Sequence, residues 1–320
     1  MPLEKLLRLA GLALALLLPA AHAQTYPSKP VRIMVPYATG GGTDILARLF
    51  AQKLTDAWGQ SVIVENRPGG DGIIGSEVIA KSPPDGYNIM LVVAAHVINP
   101  SLKTKMPFDV LKDFTPITEL AASPWVVVVS PNVAAKNIKE LIALAKAQPG
   151  KLSFGSSEPS SRLAGEQFKE QANIDLLHVP YKGGSQIMTD LLGGHIQVGF
   201  TSVLTVLQHY KSGKLVVLGV GGKQRSPSMP DIPTVVEAGV PAYETSAWYG
   251  FYGPAGMPKD VVDKIQKEIA RISKEPEVRE RLLQLGAEPV ASTPAEFAAF
   301  TQAEYAKFAN IIKKAGIQPD

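Results

Sequence analysis

Three loops in this 320-residue chain combine the residue types that hold an anion. The first, Pro36-Tyr37-Ala38-Thr39-Gly40-Gly41-Gly42-Thr43-Asp44, runs from an apolar stretch into a helical pattern. Its glycines let the backbone come close to a ligand, and the helix start beyond them presents unpaired N–H groups at the positive end of a dipole. A carboxylate or phosphate suits that arrangement, and so does a tight turn capped by Thr43 or Asp44. The second loop, Gly155-Ser156-Ser157-Glu158-Pro159-Ser160-Ser161, supplies four hydroxyls ahead of a helix that opens with Arg162. A cation there opposes the helix dipole, so it calls for an anion beside it: a ligand, Glu158, or Glu166 one turn on. The third, Val179-Pro180-Tyr181-Lys182-Gly183-Gly184-Ser185, adds a phenol and two glycines at another turn into a helix. Such strand-to-helix turns are where α/β proteins hold ligands, beyond the carboxyl ends of their strands.

Other chemistries lack their residues. With no cysteine, thiol nucleophiles, thiolate metal sites, disulfides and a lipidated N-terminal cysteine are excluded. There is no G-x-S-x-G elbow and no G-x-x-x-x-G-K-[ST] phosphate loop, and Gly219-Val220-Gly221-Gly222 lacks the third glycine of a dinucleotide fingerprint, where Gln224 stands. The five histidines (His22, His96, His178, His195, His209) have no metal-ligand spacing. A net charge of +3 is too small for a nucleic-acid surface. The expectation is a protein without catalysis, metal or cofactor, although a triad assembled from distant positions stays open.

The elements that position these loops follow from the apolar pattern. Short runs at Val31–Val35, Ser61–Val64, Asn88–Val93, Trp125–Val129, Lys151–Phe154, Ile196–Phe200, Leu215–Val220 and Tyr249–Gly253 read as strands. They alternate with amphipathic helical stretches, among them one from Ile45 to Leu54, one from Ile138 to Ala145 and one opening at Val262. A last helix begins at Thr293-Pro294-Ala295-Glu296, an N-cap followed by proline and an acid in the first turn, with Phe297, Phe300, Tyr305, Phe308 and Ile312 on a face that packs on a sheet. The fold class is α/β. Met1–Ala23 has a basic start, an apolar run from Leu9 to Leu18 and the small-residue site Ala21-His22-Ala23, the layout of a signal peptide cleaved after Ala23. Removing it takes away Glu4, Lys5 and Arg8 and leaves a net +2. Crossings at Leu120–Pro124 and Tyr243–Trp248 divide the rest into a discontinuous domain, 24–124 plus 246–320, and a continuous one, 125–245, joined by a two-strand hinge.

A series of strings then resembles one family in order along the whole mature chain. Tyr26-Pro27-Ser28-Lys29-Pro30, Val35-Pro36-Tyr37 and its glycines, Val64-Glu65-Asn66-Arg67-Pro68-Gly69-Gly70, Pro84-Asp85-Gly86-Tyr87, Leu163-Ala164-Gly165-Glu166, Pro180-Tyr181-Lys182-Gly183, Asp190-Leu191-Leu192-Gly193-Gly194, Asp231-Ile232-Pro233-Thr234-Val235 and Trp248-Tyr249-Gly250 are similar to the Bug (TctC-like) extracytoplasmic receptors of tripartite tricarboxylate transporters. The resemblance implies a two-lobed periplasmic-binding-protein (Venus flytrap) fold, each lobe a mixed sheet flanked by helices. It implies a monomeric periplasmic protein that captures a small organic carboxylate, a dicarboxylate or aromatic acid, and delivers it to the membrane permease subunits of the transporter. Carried over, it points to Tyr37, Thr39, Gly41, Gly42, Thr43 and Asp44 on one lobe and to Ser156, Ser157, Ser161, Tyr181, Lys182 and Ser202 on the other. Two departures stand out. Arg162 replaces the His or Asn common in relatives, which suggests a partner for the distal carboxylate of a diacid; Gln197 replaces a common Asp, which weakens the case for an amino-acid ligand. Glu65–Gly72 reads mainly as architecture, with Arg67 bracing Glu65 or Asp85, and direct ligand contact from the 69–75 glycines stays open. Trp125, Phe154 and Trp248 either flank an aromatic ring or belong to the core. The alternatives are a receptor that presents its ligand to a sensor kinase and a secreted serine hydrolase.

Overall fold

The computed structural model describes residues 26–241, 243–314 and 318–319; the signal segment read at Met1–Ala23 lies outside them. Strand β1 (Val31–Val35) lies between β2 (Val62–Asn66) and β3 (Asn88–Val93), all parallel, with helices α1 (Gly42–Trp58) and α2 (Ile73–Ala80) as crossovers. β1 is legible because four of its five residues are apolar and buried, and α1 because Leu46, Phe50 and Leu54 fall on one face and Gly59 ends it in the left-handed conformation at φ 64°. After α3 (Ala95–Leu102) comes β4 (Phe114–Val129), a 16-residue strand.

β4 organises the molecule. From Phe114 to Pro124 it pairs antiparallel with β9 (Ser246–Pro254), which pairs in turn with β3. From Trp125 to Val129 it changes partners, running antiparallel to β7 (Val198–Ser202) on one side and β8 (Val216–Val220) on the other. Parallel strands β5 (Ser153–Ser156) and β6 (Leu177–Pro180) continue from β7. Around this second half lie α4 (Ile138–Ala147), α5 (Pro159–Ala172), α6 (Gly184–Gly193) and α7 (Val203–Lys211). The chain then returns through β9 to α8 (Lys259–Ser273), α9 (Pro276–Leu285), a two-residue strand β10 (Glu288–Pro289) on β4, and α10 (Pro294–Lys314).

The start of α10 is a reciprocal cap: Thr293 Oγ1 accepts from Glu296 N at 3.3 Å and Glu296 Oε2 accepts from Thr293 N at 2.8 Å. Its Phe297 is fully buried between Trp248 and Tyr252, ring centroids 5.9 and 4.8 Å away, so truncation to alanine would cost about 3–5 kcal/mol. Gly250 is glycine for the same reason, since a Cβ there would lie 2.1 Å from the Phe297 ring. The Trp248 and Phe154 rings are thus core: Phe154 is fully buried against Phe200 and His178.

Candidate functional site

The loop before α1 is braced from behind. Asp44 is 3% exposed and its Oδ2 accepts from Gly40 N at 2.9 Å and from Arg48 Nε at 3.1 Å. Arg48 also donates to Asn66 Oδ1, and Asn66 Nδ2 donates to the Tyr37 carbonyl. Asn66 therefore holds the first loop, and the following turn supports it: Gly72, at φ 92°, leaves room for the Tyr37 hydroxyl, which a Cβ would approach at 3.1 Å. Arg67 does not make the ion pair expected of it; Glu65 pairs with Arg32 at 3.1 Å and Asp85 with Lys29 at 3.4 Å.

Helix α1 begins with glycine as its N-cap, so no side chain satisfies its first amides, and α6 begins in the same way at Gly183. The two starts meet. A Cβ at Gly41 would lie 3.7 Å from Gly184 N, one at Gly183 would lie 2.7 Å from Ala38 Cβ, and Ser185 Oγ donates to the Thr39 carbonyl at 3.0 Å. Between them is a cavity of about 40 Å³. Tyr37, Ala38, Gly41, Gly42, Thr43 and Val93 line it from one side. Ser157, Glu158, Gly183, Gly184, Thr201, Ser202 and Thr205 line it from the other, with Trp125 and Tyr249 where the sheet halves join. Tyr249 donates to Ser202 Oγ at 3.1 Å, and Ser202 Oγ is 3.1 Å from Thr205 Oγ1. That volume holds about three waters, well below the roughly 300 Å³ of a small-molecule pocket, so the surfaces are closed on one another.

Of the expected ligand residues, Tyr37, Gly41, Gly42, Thr43, Ser157 and Ser202 meet at this cavity; the other seven do not line it. Thr39 is exposed and contributes its carbonyl to the contact with Ser185. Asp44 Oδ2 is turned to its own loop, while Oδ1, 3.0 Å from Arg48 Nε, is buried without a hydrogen bond among the described residues. Ser156 Oγ lies 2.7 Å from His178 Nε2. Ser161 is consumed by the start of α5: its hydroxyl accepts from Ser157 N at 3.0 Å and Glu158 N at 3.2 Å, while the Glu158 carboxylate accepts from Ser160 N, Ser160 Oγ and Ser161 N at 2.6–3.0 Å. This capping box satisfies α5 from within. Arg162 is exposed and does not pair with Glu166, which pairs with Lys169 at 3.0 Å. Tyr181 donates to Asp190 Oδ2 at 2.5 Å, and Lys182 is exposed. Gln197 binds Ser153 N and Oγ at 3.0 and 3.1 Å, away from the cavity.

Ala38, Val93, Glu158, Gly183, Gly184, Thr201, Thr205 and Tyr249 are residues that reasoning from the chain alone did not place in the site, and Trp125 was left open between ring contact and core. The two glycines and Glu158 sit in loops already singled out; Tyr249 is delivered by β9 from 47 positions beyond Ser202, and its string marks a strand and the family but not a place at the cavity. Glu158 is 7% exposed, and burial pushes its carboxyl up to about 7 against the opposing hydrogen bonds from Ser160 and Ser161, with Asp71 adding to the rise. Burial also raises Tyr37 and Tyr249, with Glu158 contributing to both, so the two phenols are neutral donors.

A larger open groove of about 1520 Å³ lies among α8, α9, α10 and the 222–227 segment. Several of its charges are neutralised in pairs, Lys223–Glu244, Arg225–Glu237, Arg271–Glu275 and Lys307–Glu304. It has no comparable convergence of uncapped helix starts. Among the described residues no group of three or more His, Asp or Glu side chains is placed to hold a metal, and no helix is long and apolar enough to cross a membrane.

Comparison with known proteins bears on the family and the fold. The protein BugT of Bordetella pertussis is 32% identical over 322 residues, covering 99% of each chain. Among solved structures, periplasmic binding protein BugD is 34% identical with a TM-score of 0.88, covering 92% of this chain and 100% of its own. R. palustris Rpa4515 with adipate is 30% identical with a TM-score of 0.90 and the same coverage. MatC from Rhodopseudomonas palustris with bound malate is 26% identical with a TM-score of 0.84, covering 90% and 100%. The fold is the two-lobed α/β architecture of periplasmic binding proteins. Residues 46–317 match the model of the tripartite tricarboxylate transporter family receptor, TctC, and the chain belongs to that family of solute-binding receptors.

Proposed function

We propose that this protein is a periplasmic receptor that captures a small organic carboxylate between its lobes and delivers it to the permease of a tripartite tricarboxylate transporter. The carrying observation is the meeting of two glycine-capped helix starts, α1 and α6, at one cavity lined by Thr43, Ser157, Thr201, Ser202 and Thr205. Backbone N–H groups at a helix start suit a carboxylate, and exclusion of water on closure strengthens each hydrogen bond to it. The moving bodies in this reading are residues 24–124 with 246–320 and residues 125–245, because β4 exchanges β9 for β7 and β8 at Pro124–Trp125. The lobes open to admit the ligand and close on it, as a monomer.

The reading includes no catalysis. Ser156 and His178 form a serine–histidine pair, but Ser156 is 3% exposed and neither residue lines the cavity. The ligands of the relatives Rpa4515 and MatC, adipate and malate, support a dicarboxylate.

The test is a thermal-shift screen of mono- and dicarboxylates, adipate and malate included. At 100-fold excess over the dissociation constant a true ligand adds about 2.7 kcal/mol of stability. Gly42→Ala is the control, since a Cβ there would lie 2.6 Å from the Tyr249 hydroxyl, between two residues that line the cavity; it should abolish the shift while the protein stays folded. No shift across the panel, or recovery of a chemically altered ligand, would overturn the reading.

A further inference from the structure

Glu158 is an acid inside a pocket built for acids. It lines the cavity and is 7% exposed, and among the described residues no lysine or arginine lines that cavity with it. Its three hydrogen bonds come from Ser160 and Ser161, and as the N-cap of α5 it meets the positive end of that helix, but among the described residues no cationic side chain pairs with it. The groups facing it do not neutralise it either. Tyr37 from the first loop and Tyr249 from β9 are neutral phenols. Asp71, in the turn before α2, is a second acid, paired with Lys103 at 3.4 Å. Helix α3, packed on α5, carries His96, which burial holds neutral. Arg162 on α5 itself is exposed, and its charge acts on His178.

A ligand carboxylate entering a cavity of about 40 Å³ comes against this charge at close range, where two like charges cannot both persist. The incoming group is held by the starts of α1 and α6, while Glu158 can shed its charge by taking a proton from solvent. We propose, resting on the receptor reading above, that Glu158 is a specificity-determining residue that makes carboxylate capture proton-linked: one proton is taken up by its carboxylate for each carboxylate ligand bound. The protonated carboxyl then keeps its oxygens as acceptors for α5 and gains a donor. The linkage has a defined sign. Burial already pushes Glu158 up to about 7, and a bound anion pushes it further, so affinity is highest in acid and falls as Glu158 ionises in the unliganded protein.

The experiment is calorimetric titration of the mature protein with adipate and with malate, whose own carboxyls are almost fully ionised above about pH 7, with the remaining ligand protonation near pH 6 subtracted. Repeating each titration at about pH 8 in two buffers of different protonation enthalpy counts the protons; an uptake close to one per ligand is expected. Affinity should weaken about tenfold between pH 6 and pH 8. Glu158→Gln should abolish both the uptake and the slope, and bind at pH 8 about as tightly as the unmodified protein at pH 6. The proton count needs no variant, so it decides the matter even if the glutamine loosens the α5 cap. Binding without proton uptake and with a flat pH profile would overturn the proposal while leaving the receptor reading intact; absence of binding by every carboxylate tested would overturn both.

Discussion

His96 on α3 is 3% exposed, ringed by Phe108, Phe114 and Tyr252, and neither ring nitrogen has a hydrogen-bond partner among the described residues. Desolvation lowers it from 6.5 to about 3, so it stays neutral in the folded protein while the unfolded chain binds a proton below about pH 6.5. The unfolded state therefore gains protons that the folded state cannot, and stability is lost as pH falls through that window. His96→Phe removes both the unpaired nitrogens and the titration. It should raise stability by about 1 kcal/mol at neutral pH, and by about 2 kcal/mol more near pH 5. Urea unfolding at the two pH values checks this; a variant no more stable than the parent at pH 5 would show that the ring nitrogens find partners. Glu158 carries the opposite sign, since its raised carboxyl favours the folded state as pH falls from about 7, so the comparison belongs between variant and parent at each pH.

At the scale of elements, two helix starts meet at the cavity proposed as the site. Gly183 has extended backbone at φ −176°, so a side chain there is not strained by conformation, only by what it meets. A Cβ on Gly183 would meet Ala38 Cβ at 2.7 Å, on the loop before α1. Gly183→Val should therefore hold the two starts apart, weaken carboxylate affinity by at least about tenfold, and cost the unliganded protein no more than about 1–3 kcal/mol. Calorimetry and thermal unfolding separate the two effects; unchanged affinity would mean that α1 and α6 need not meet for binding. The loops that make this contact were legible because glycines between an apolar run and a helical pattern leave a local signature. The strands β1 and β3 were legible to the residue, being short, apolar and buried. The first half of β4 was not. Thr115-Pro116-Ile117-Thr118-Glu119-Leu120-Ala121-Ala122-Ser123-Pro124 carries two prolines and three poor strand formers, and its ladder absorbs them with register shifts at Pro116/Thr118 and Glu119/Ala121. Strand β6 also escaped, because an edge strand whose Leu177 is 62% exposed shows no apolar pattern. The family resemblance pointed to Ser161 and Asp44 as ligand groups. Their partners, Glu158 and Arg48, are local, and the chain alone does not say whether a cap faces inward or toward a ligand.

The whole molecule turns on the place where β4 changes partners, and Gly221 holds that place together. Its N–H donates to the Trp125 carbonyl at 2.7 Å, and its carbonyl accepts from Thr245 N at 2.7 Å, so one residue ties the segment entering the 125–245 body to the segment leaving it. A Cβ at Gly221 would lie 2.2 Å from Thr245 Oγ1, 2.9 Å from the Thr245 carbonyl and 3.2 Å from the Trp125 carbonyl, all within the crossing itself. Backbone atoms cannot swing aside as a flexible side chain does, so Gly221→Ala must prise the two segments apart. The direct cost is overpacking of about 1–3 kcal/mol. If the crossing is the hinge, as proposed above, loosening its tie should let the lobes splay and make it harder to bring α1 against α6. Small-angle scattering should show a larger radius of gyration for the unliganded variant than for the parent, with saturating adipate or malate narrowing the gap. Affinity should fall in proportion, because closure energy is drawn from binding energy. Equal radii for variant and parent in both conditions would show that the crossing at Pro124–Trp125 and Thr245–Ser246 is a rigid joint, and that closure bends the chain elsewhere.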